Sequence, residues 1–239
     1  MLEVRHIKTS ELSAFQDAAA HETVVIMPST RVTLARRAAD VMVARTGASG
    51  LLLIAEDDLR IGFIATANMV YAKTSSRYAA YVAQDAFAGF YWLETGIETL
   101  QKSDSGLLAF NDGRFFGRLA AFGLVDRQWT DSLYGRFLFY PRYKRHYADT
   151  ELSDIALLTG KMVYNPHAMM VEIDYGKHLG TAARKSETVN EYKNTDSVDA
   201  DPDGTLYVER ALEGFDARVA PFVPELGPVQ AVLKARGKA

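Results

Sequence analysis

The chain has 239 residues, 48% hydrophobic and 24% charged, with Gly 17 and Pro 7, the profile of a globular chain long enough to bury its own core. Its 27 Lys+Arg against 30 Asp+Glu leave a formal net charge of -3, which excludes a global basic field for a polyanion and leaves only local basic patches. The cysteine count of 0 excludes disulfides, thiolate zinc sites, iron–sulfur clusters and cysteine nucleophiles. No apolar run approaches the roughly 20 residues of a membrane span. The amino-terminal MLEVRHIKTSEL lacks the apolar centre of a secretory signal, so a cytoplasmic protein without a transmembrane segment is the expectation.

From Thr23 onward, short apolar runs alternate with helical patterns, which predicts strands joined by crossover helices. TVVIMP (23–28) reads as the first strand, and Ser29 and Thr30 are placed to cap the helix after it, where Leu34, Ala38, Val41 and Met42 form the apolar face. Further strands are expected at LLLIA (51–55), RIGFIA (60–65), YAAYVA (78–83) and GLLAF (106–110), with an aromatic helix over FYWLETGIETLQK (90–102). Beyond the aromatic, basic segment 136–147 comes a helix over 148–160 with Gly160 as its C-cap. Strands KMVYNP (161–166) and AMMVEI (168–173) follow. Residues 185–204 have almost no apolar content and read as a loop or lid. A last helix is expected over 208–219. The economical division is a nucleotide-binding and catalytic unit over 1–184, with 185–239 as a loop and helical extension of the same domain.

Several of these strands stop at carboxylates. Glu56, Asp57 and Asp58 follow 51–55, Gln84 and Asp85 follow 78–83, and Asn111 and Asp112 follow 106–110. Parallel strands aim their carboxyl ends at one crevice, where ligands of α/β sheets bind. Asp and Asn also end strands because they suit turns. There is no glycine-rich phosphate loop with Lys-Ser/Thr, no GxGxxG, no GxSxG and no HExxH, which removes support for P-loop hydrolases, dinucleotide oxidoreductases, α/β-hydrolases and zincins. Asp199, Asp201, Asp203 and Gly204 have the spacing of half an EF-hand loop, but Arg210 stands where the bidentate glutamate belongs, so an acidic solvated loop is the expectation.

In this order, VVIMPSTR (24–31), LLLIAEDD (51–58), Gly62 and Asn68, YVAQDAFAGFYWL (81–93), HYADTEL (146–152) and GKMVYNP (160–166) resemble the glycosyltransferase family 2-like enzymes. The resemblance spans roughly residues 23–180. It implies an α/β, GT-A-like, Rossmann-type mixed sheet flanked by helices, with a C-terminal loop and helical extension. The activity implied is transfer of a sugar from a nucleoside diphosphate sugar to an acceptor hydroxyl, inverting and assisted by Mn2+ or Mg2+.

By the same resemblance Asp85 is the cation's ligand, with His178 as a second candidate; where the family often has a second aspartate this chain has Ala83, Gln84 and Phe87. The donor pocket would draw on Pro28, Thr30, Arg31, Gln84 and Asp85, with Asp57 or Asp58 at the nucleobase. Attack by the acceptor hydroxyl calls for a proton acceptor. Asp149 matches the family's base position and Glu151 is the second candidate, although acids also favour a helix's first turn on electrostatic grounds alone. Asn111, Asp112, Arg145 and His146 are acceptor-binding candidates. The cations and aromatic rings of 136–147 suit a glycan, a lipid-linked phosphate or a nucleic acid. Two alternatives stand beside this reading, a nucleotidyltransferase and a non-catalytic nucleotide-sugar or glycan-binding protein.

Overall fold

The computed structural model describes residues 1–15, 21–172 and 202–224. Eight strands are formed by Leu2–Lys8 (β1), Thr23–Ser29 (β2), Gly50–Glu56 (β3), Tyr78–Tyr81 (β4), Ala86–Ala88 (β5), Leu107–Asn111 (β6), Gly123–Asp126 (β7) and Met162–Glu172 (β8). They make one mixed sheet in the order β1-β3-β2-β4-β7-β6-β8-β5. β1, β3, β2 and β4 run parallel, β7 is antiparallel to both its neighbours, and β6 and β8 are parallel to each other. The carboxyl ends of β2, β3, β4 and β6 therefore lie along one edge.

The central strands are buried on both faces, which is why they read as unbroken apolar runs. Val24 and Ile26 with Leu51, Leu53 and Ala55 pack under helix α2 (Phe63–Lys73) and helix α5 (Ala148–Leu158). The alternate residues Val25, Met27, Leu52 and Ile54 pack under helix α1 (Val32–Ala44) and helix α3 (Trp92–Gln101). A short helix α4 (Arg127–Tyr134) follows β7. Helix α6 (Pro202–Ala211) adds Tyr207, Val208 and Ala211 to the α2/α5 side of the core.

Several expectations change. β1 precedes the strand expected to be first; only Leu2 of it is buried, so it carries little apolar signal. RIGFIA (60–65) is not a strand. Gly62 sits at φ +93, where a side chain is strained, and α2 starts at the next residue, burying Ile64, Ala67, Val70 and Tyr71 at helical spacing. β5, β7 and α4 were not expected. The two strands expected at 161–166 and 168–173 are one strand, and it accommodates Pro166 where the register with β6 shifts between Ala109 and Asn111. α1 is entered through Arg31, with no side-chain cap. Gly160, at φ +68, does follow the end of α5.

The last long helix starts at Pro202 and ends at Ala211, not at 208–219. Its first turn includes Asp203 and Gly204, which overturns the solvated loop expected for those two residues. Gly214 (φ +67) turns the chain so closely that a Cβ would lie 2.1 Å from the Val219 carbonyl oxygen. The remainder of the expected lid, Asp199, Asp201 and the 184/185 boundary fall outside the described residues. Among the described residues no helix is long and apolar enough to cross a membrane.

Candidate active site

At the carboxyl edge, β3 delivers Asp57 and Asp58 beside the end of β2. Asp57 is buried, and its Oδ1 and Oδ2 accept from the amides of Ile61 (2.9 Å) and Gly62 (2.7 Å) while its own amide donates to the Ser29 carbonyl (2.7 Å). Its carboxylate thus shapes the tight turn into α2. Asp58 is exposed and accepts from the Thr9 hydroxyl (2.6 Å), the Ser10 amide (3.1 Å) and the Ser10 hydroxyl (2.6 Å). Hydrogen bonds from Ser10 and then Thr9 lower its carboxyl to about 2. Both aspartates expected at a nucleobase tie down neighbouring loops.

Gln84, just past β4, turns toward β2. Its Oε1 accepts from the Ser29 hydroxyl (2.9 Å) and the amides of Thr30 (3.1 Å) and Arg31 (2.9 Å). The neutral amide at this position is a brace for the β2–α1 loop, which a second carboxylate would hold equally well as an acceptor but with a buried charge to satisfy. Pro28 is buried in β2, Thr30 is half-buried and Arg31 is exposed at the mouth of that loop. Asp85 is half-buried at the end of β4. Among the described residues no group of three His, Asp or Glu could hold a metal, and His178 lies outside them. Of the two residues expected to hold a cation, Asp85 is the one among the described residues.

α5 brings Asp149 to the same edge. The Tyr81 hydroxyl, at the end of β4, donates to the Ala120 carbonyl (2.7 Å); the Ala120 amide donates to the Ser153 hydroxyl (2.9 Å), which donates to the Asp149 carbonyl (2.7 Å). Gly123 makes this possible, because a Cβ there would stand 2.5 Å from the Tyr81 oxygen. The half-buried Asp149 carboxylate accepts from the Thr150 amide (2.9 Å). Loss of solvation pushes its carboxyl above the ordinary range, against the opposing pull of the Thr150 amide and the nearby His146. The negative charge of Asp149 in turn adds to the burial that raises the Tyr81 hydroxyl.

Glu151, two residues on, meets the opposite fate. It is 0% exposed. Its Oε2 and Oε1 accept from Arg210 Nε and Nη2 at 2.7 Å each, from the Tyr143 hydroxyl (2.8 Å) and from the Tyr134 hydroxyl (3.0 Å). The Arg210 guanidinium also lies 3.3 Å from the Tyr140 ring centroid. With its lone pairs taken and no path for an acceptor, Glu151 is a core ion-pair partner and not a base. Arg210 and Asp203, both on α6, stood out in the sequence only through the EF-hand-like spacing, and their partners here were not foreseen. Asp203 is 4% exposed and collects the amides of Lys144 (3.0 Å), Arg145 (2.6 Å) and His146 (2.9 Å). From α2, Asn68 pairs with both main-chain groups of Phe139 (3.0 and 2.9 Å). The segment before α5 is thus pinned from inside, while Arg145 and His146 present exposed side chains.

Beyond β7, β6 ends in Asn111 and Asp112. The Asn111 side chain donates to the Pro166 carbonyl (2.9 Å) and accepts from the Gly113 amide (3.1 Å); buried Asp112 accepts from the amides of Arg114 and Phe115, both at 2.9 Å. This is turn chemistry. The structure therefore joins Gln84 to the Thr30 and Arg31 amides, sets Asp149 near Tyr81 of β4, and places Asn111 and Asp112 at the end of β6, two strands on from β4.

This mixed sheet flanked by helices is the GT-A-like, Rossmann-type fold. Among solved structures, a mannosyltransferase of Pyrobaculum calidifontis in complex with GDP-Man and Mn2+ matches with a TM-score of 0.54 at 14% identity, over 92% of this chain and 70% of that one. Residues 1–349 of S. aureus TarS match with a TM-score of 0.52 at 11% identity, over 91% of this chain and 87% of that one. No protein-family model matches the sequence, and no curated protein matches it.

Proposed function

We propose that this protein transfers a sugar from a nucleoside diphosphate sugar to an acceptor hydroxyl, with inversion. The observation that carries the reading is Asp149. Its half-buried carboxylate acts on Tyr81 of β4 and is raised in basicity, whereas Asp57, Asp58 and Asp112 bind loop amides and hydroxyls and Glu151 binds Arg210. A base whose pKa is lifted toward the working pH both stays deprotonated and takes a proton efficiently.

In this reading the acceptor oxygen attacks the anomeric carbon from the face opposite the diphosphate. The new carbon–oxygen bond forms as the bond to the diphosphate breaks, the electron pair leaves with the diphosphate, and the hydroxyl proton passes to Asp149. The β2–α1 loop, braced by Gln84, offers Thr30 and Arg31 to the nucleotide. Asp85 is the residue that would hold Mn2+ or Mg2+, which when bound supplies Lewis-acid stabilisation of the charge developing on the diphosphate. The similarity to a mannosyltransferase solved with GDP-Man and Mn2+ supports both the donor class and the cation.

A thermal-shift panel of UDP-, GDP- and dTDP-sugars with and without Mn2+ tests the donor half, since a ligand that binds the native state raises the melting temperature. A Mn2+-dependent rise with one nucleotide, lost in Asp85→Ala, is expected. No rise with any of them would defeat the reading.

A further inference from the structure

The segment that leads into α5 sorts its side chains sharply. Phe139 and Tyr143 are buried, and the Tyr143 hydroxyl is bonded to Glu151. Between and after them Arg142, Lys144, Arg145 and His146 are all exposed. Among the described residues none of the three permanently charged side chains has an acidic partner, although acids outnumber bases in the chain as a whole. Unpaired surface cations concentrated within five residues repel one another unless something anionic faces them.

The backbone beneath this row is not free to relax the repulsion. Asp203, 4% exposed, holds the amides of Lys144, Arg145 and His146. Burying a carboxylate is costly unless its hydrogen bonds are met, and here they are met by three consecutive amides, so the main chain is locked with its cations outward. The carboxylate of Asp203 offsets only part of the charge of Arg142, Lys144 and Arg145. Four residues after Arg145 comes Asp149.

We infer that the acceptor carries phosphate close to its reacting hydroxyl, and that Arg142, Lys144 and Arg145, with His146 at the end of the row, bind that phosphate and so deliver the hydroxyl to Asp149. The inference rests on the sugar-transfer reading of the same site. Arginine and lysine both suit phosphate oxygens, arginine through paired donors and lysine as a point charge. A neutral glycan would gain nothing from a row of unopposed cations.

The test uses the full chain and a fluorescein-labelled short-chain polyphosphate, followed by anisotropy. Saturable binding is expected, weakening with salt with a log–log slope of about 2 to 3 for three phosphate contacts, and unaffected by excess neutral dextran. Arg142→Ala/Lys144→Ala/Arg145→Ala should lose at least tenfold in affinity, while Arg36→Ala/Arg37→Ala/Lys102→Ala, which removes the same charge from α1 and the C-cap of α3, should change it less than twofold. Absence of binding, or equal losses in the two triple variants, would overturn the inference. So would co-sedimentation with phosphatidylglycerol vesicles without polyphosphate binding, or preference for a single-stranded oligonucleotide, because the surface would then serve a membrane or a nucleic acid. The two readings fail separately. A nucleotide-sugar thermal shift without polyphosphate binding removes the phosphate acceptor alone. Binding through the row with no shift from any nucleotide sugar removes the transfer reading and the acceptor assignment with it, and leaves only an anion site.

Discussion

At the β3 end of the carboxyl edge, Asp57 and Asp58 give their oxygens to the amides of Ile61, Gly62 and Ser10 and to two hydroxyls, whereas at the start of α5 the half-buried Asp149 carboxylate accepts from the Thr150 amide but loses more by burial than its hydrogen bonds return. Hydrogen bonds make Asp58 a weaker base and lost solvation makes Asp149 a stronger one, since the first favours the charged form and the second opposes it. Both regions lie at the carboxyl ends of strands, and what separates them is the balance between hydrogen bonding and lost solvation at each acid. Glu151 extends the lesson within one helix turn: it shares the edge's first turn with Asp149, yet Arg210 and two tyrosines claim it entirely.

The contrast can be broken at its most expensive contact. Arg210→Met leaves the Glu151 charge buried without its cation, and removing one partner of a buried pair typically costs about 3 to 5 kcal/mol; urea unfolding should show a loss of that order. Replacing both as Glu151→Met/Arg210→Met should recover much of it. A single variant as stable as the wild type would mean that the pair does not hold α6 to α5.

The Asp149 side is sharpened by pH. A carboxyl raised above its unfolded value favours the protonated native state, so stability drains away as pH rises through the raised value. Asp149→Asn keeps the oxygen that accepts from Thr150 and removes the charge. Its melting temperature should exceed that of the wild type at neutral pH, with the gap closing below about pH 4, where the wild-type carboxyl is also neutral. A variant less stable than wild type at neutral pH would show that Asp149 is not strained by burial.

Asp58 carries the smallest effect and the opposite sign. Lowered from 3.8 to about 2 by Ser10 and Thr9, it supports the fold above its unfolded value and loses that support as pH falls through about 2. The difference in melting temperature between wild type and Asp58→Asn should therefore shrink on going from pH 6 toward pH 2, and a gap that widens in acid would contradict the assignment.

The legible parts of the molecule were those whose signal is local. TVVIMP and LLLIA announce central strands because both faces of each are buried, and the helical spacing of 90–102 and 148–160 reflects packing on one face. β1 and the three- and four-residue strands β5 and β7 are too polar or too short to leave a period. RIGFIA misled because six residues of an apolar run fit a strand as well as a loop feeding a helix, and only the left-handed turn at Gly62 decides. In the site, the start of a helix at Asp149 and Glu151 was readable, but the different surroundings of the two acids were not, because Arg210 lies 59 residues beyond Glu151 along the chain. Asp203 was hidden in the same way, its three amide partners lying 57 to 59 residues earlier.

In the proposed reaction Asp149 takes the acceptor's proton while the β2–α1 loop and Asp85 hold the donor. This is tested most directly by following nucleoside diphosphate release from the donor that gives a thermal shift, with a phosphate-bearing alcohol as acceptor, in wild type and Asp149→Asn. Turnover should fall by about 10²- to 10⁴-fold, the contribution of a general base, with the donor-induced thermal shift unchanged. Equal turnover in the two proteins would contradict the account.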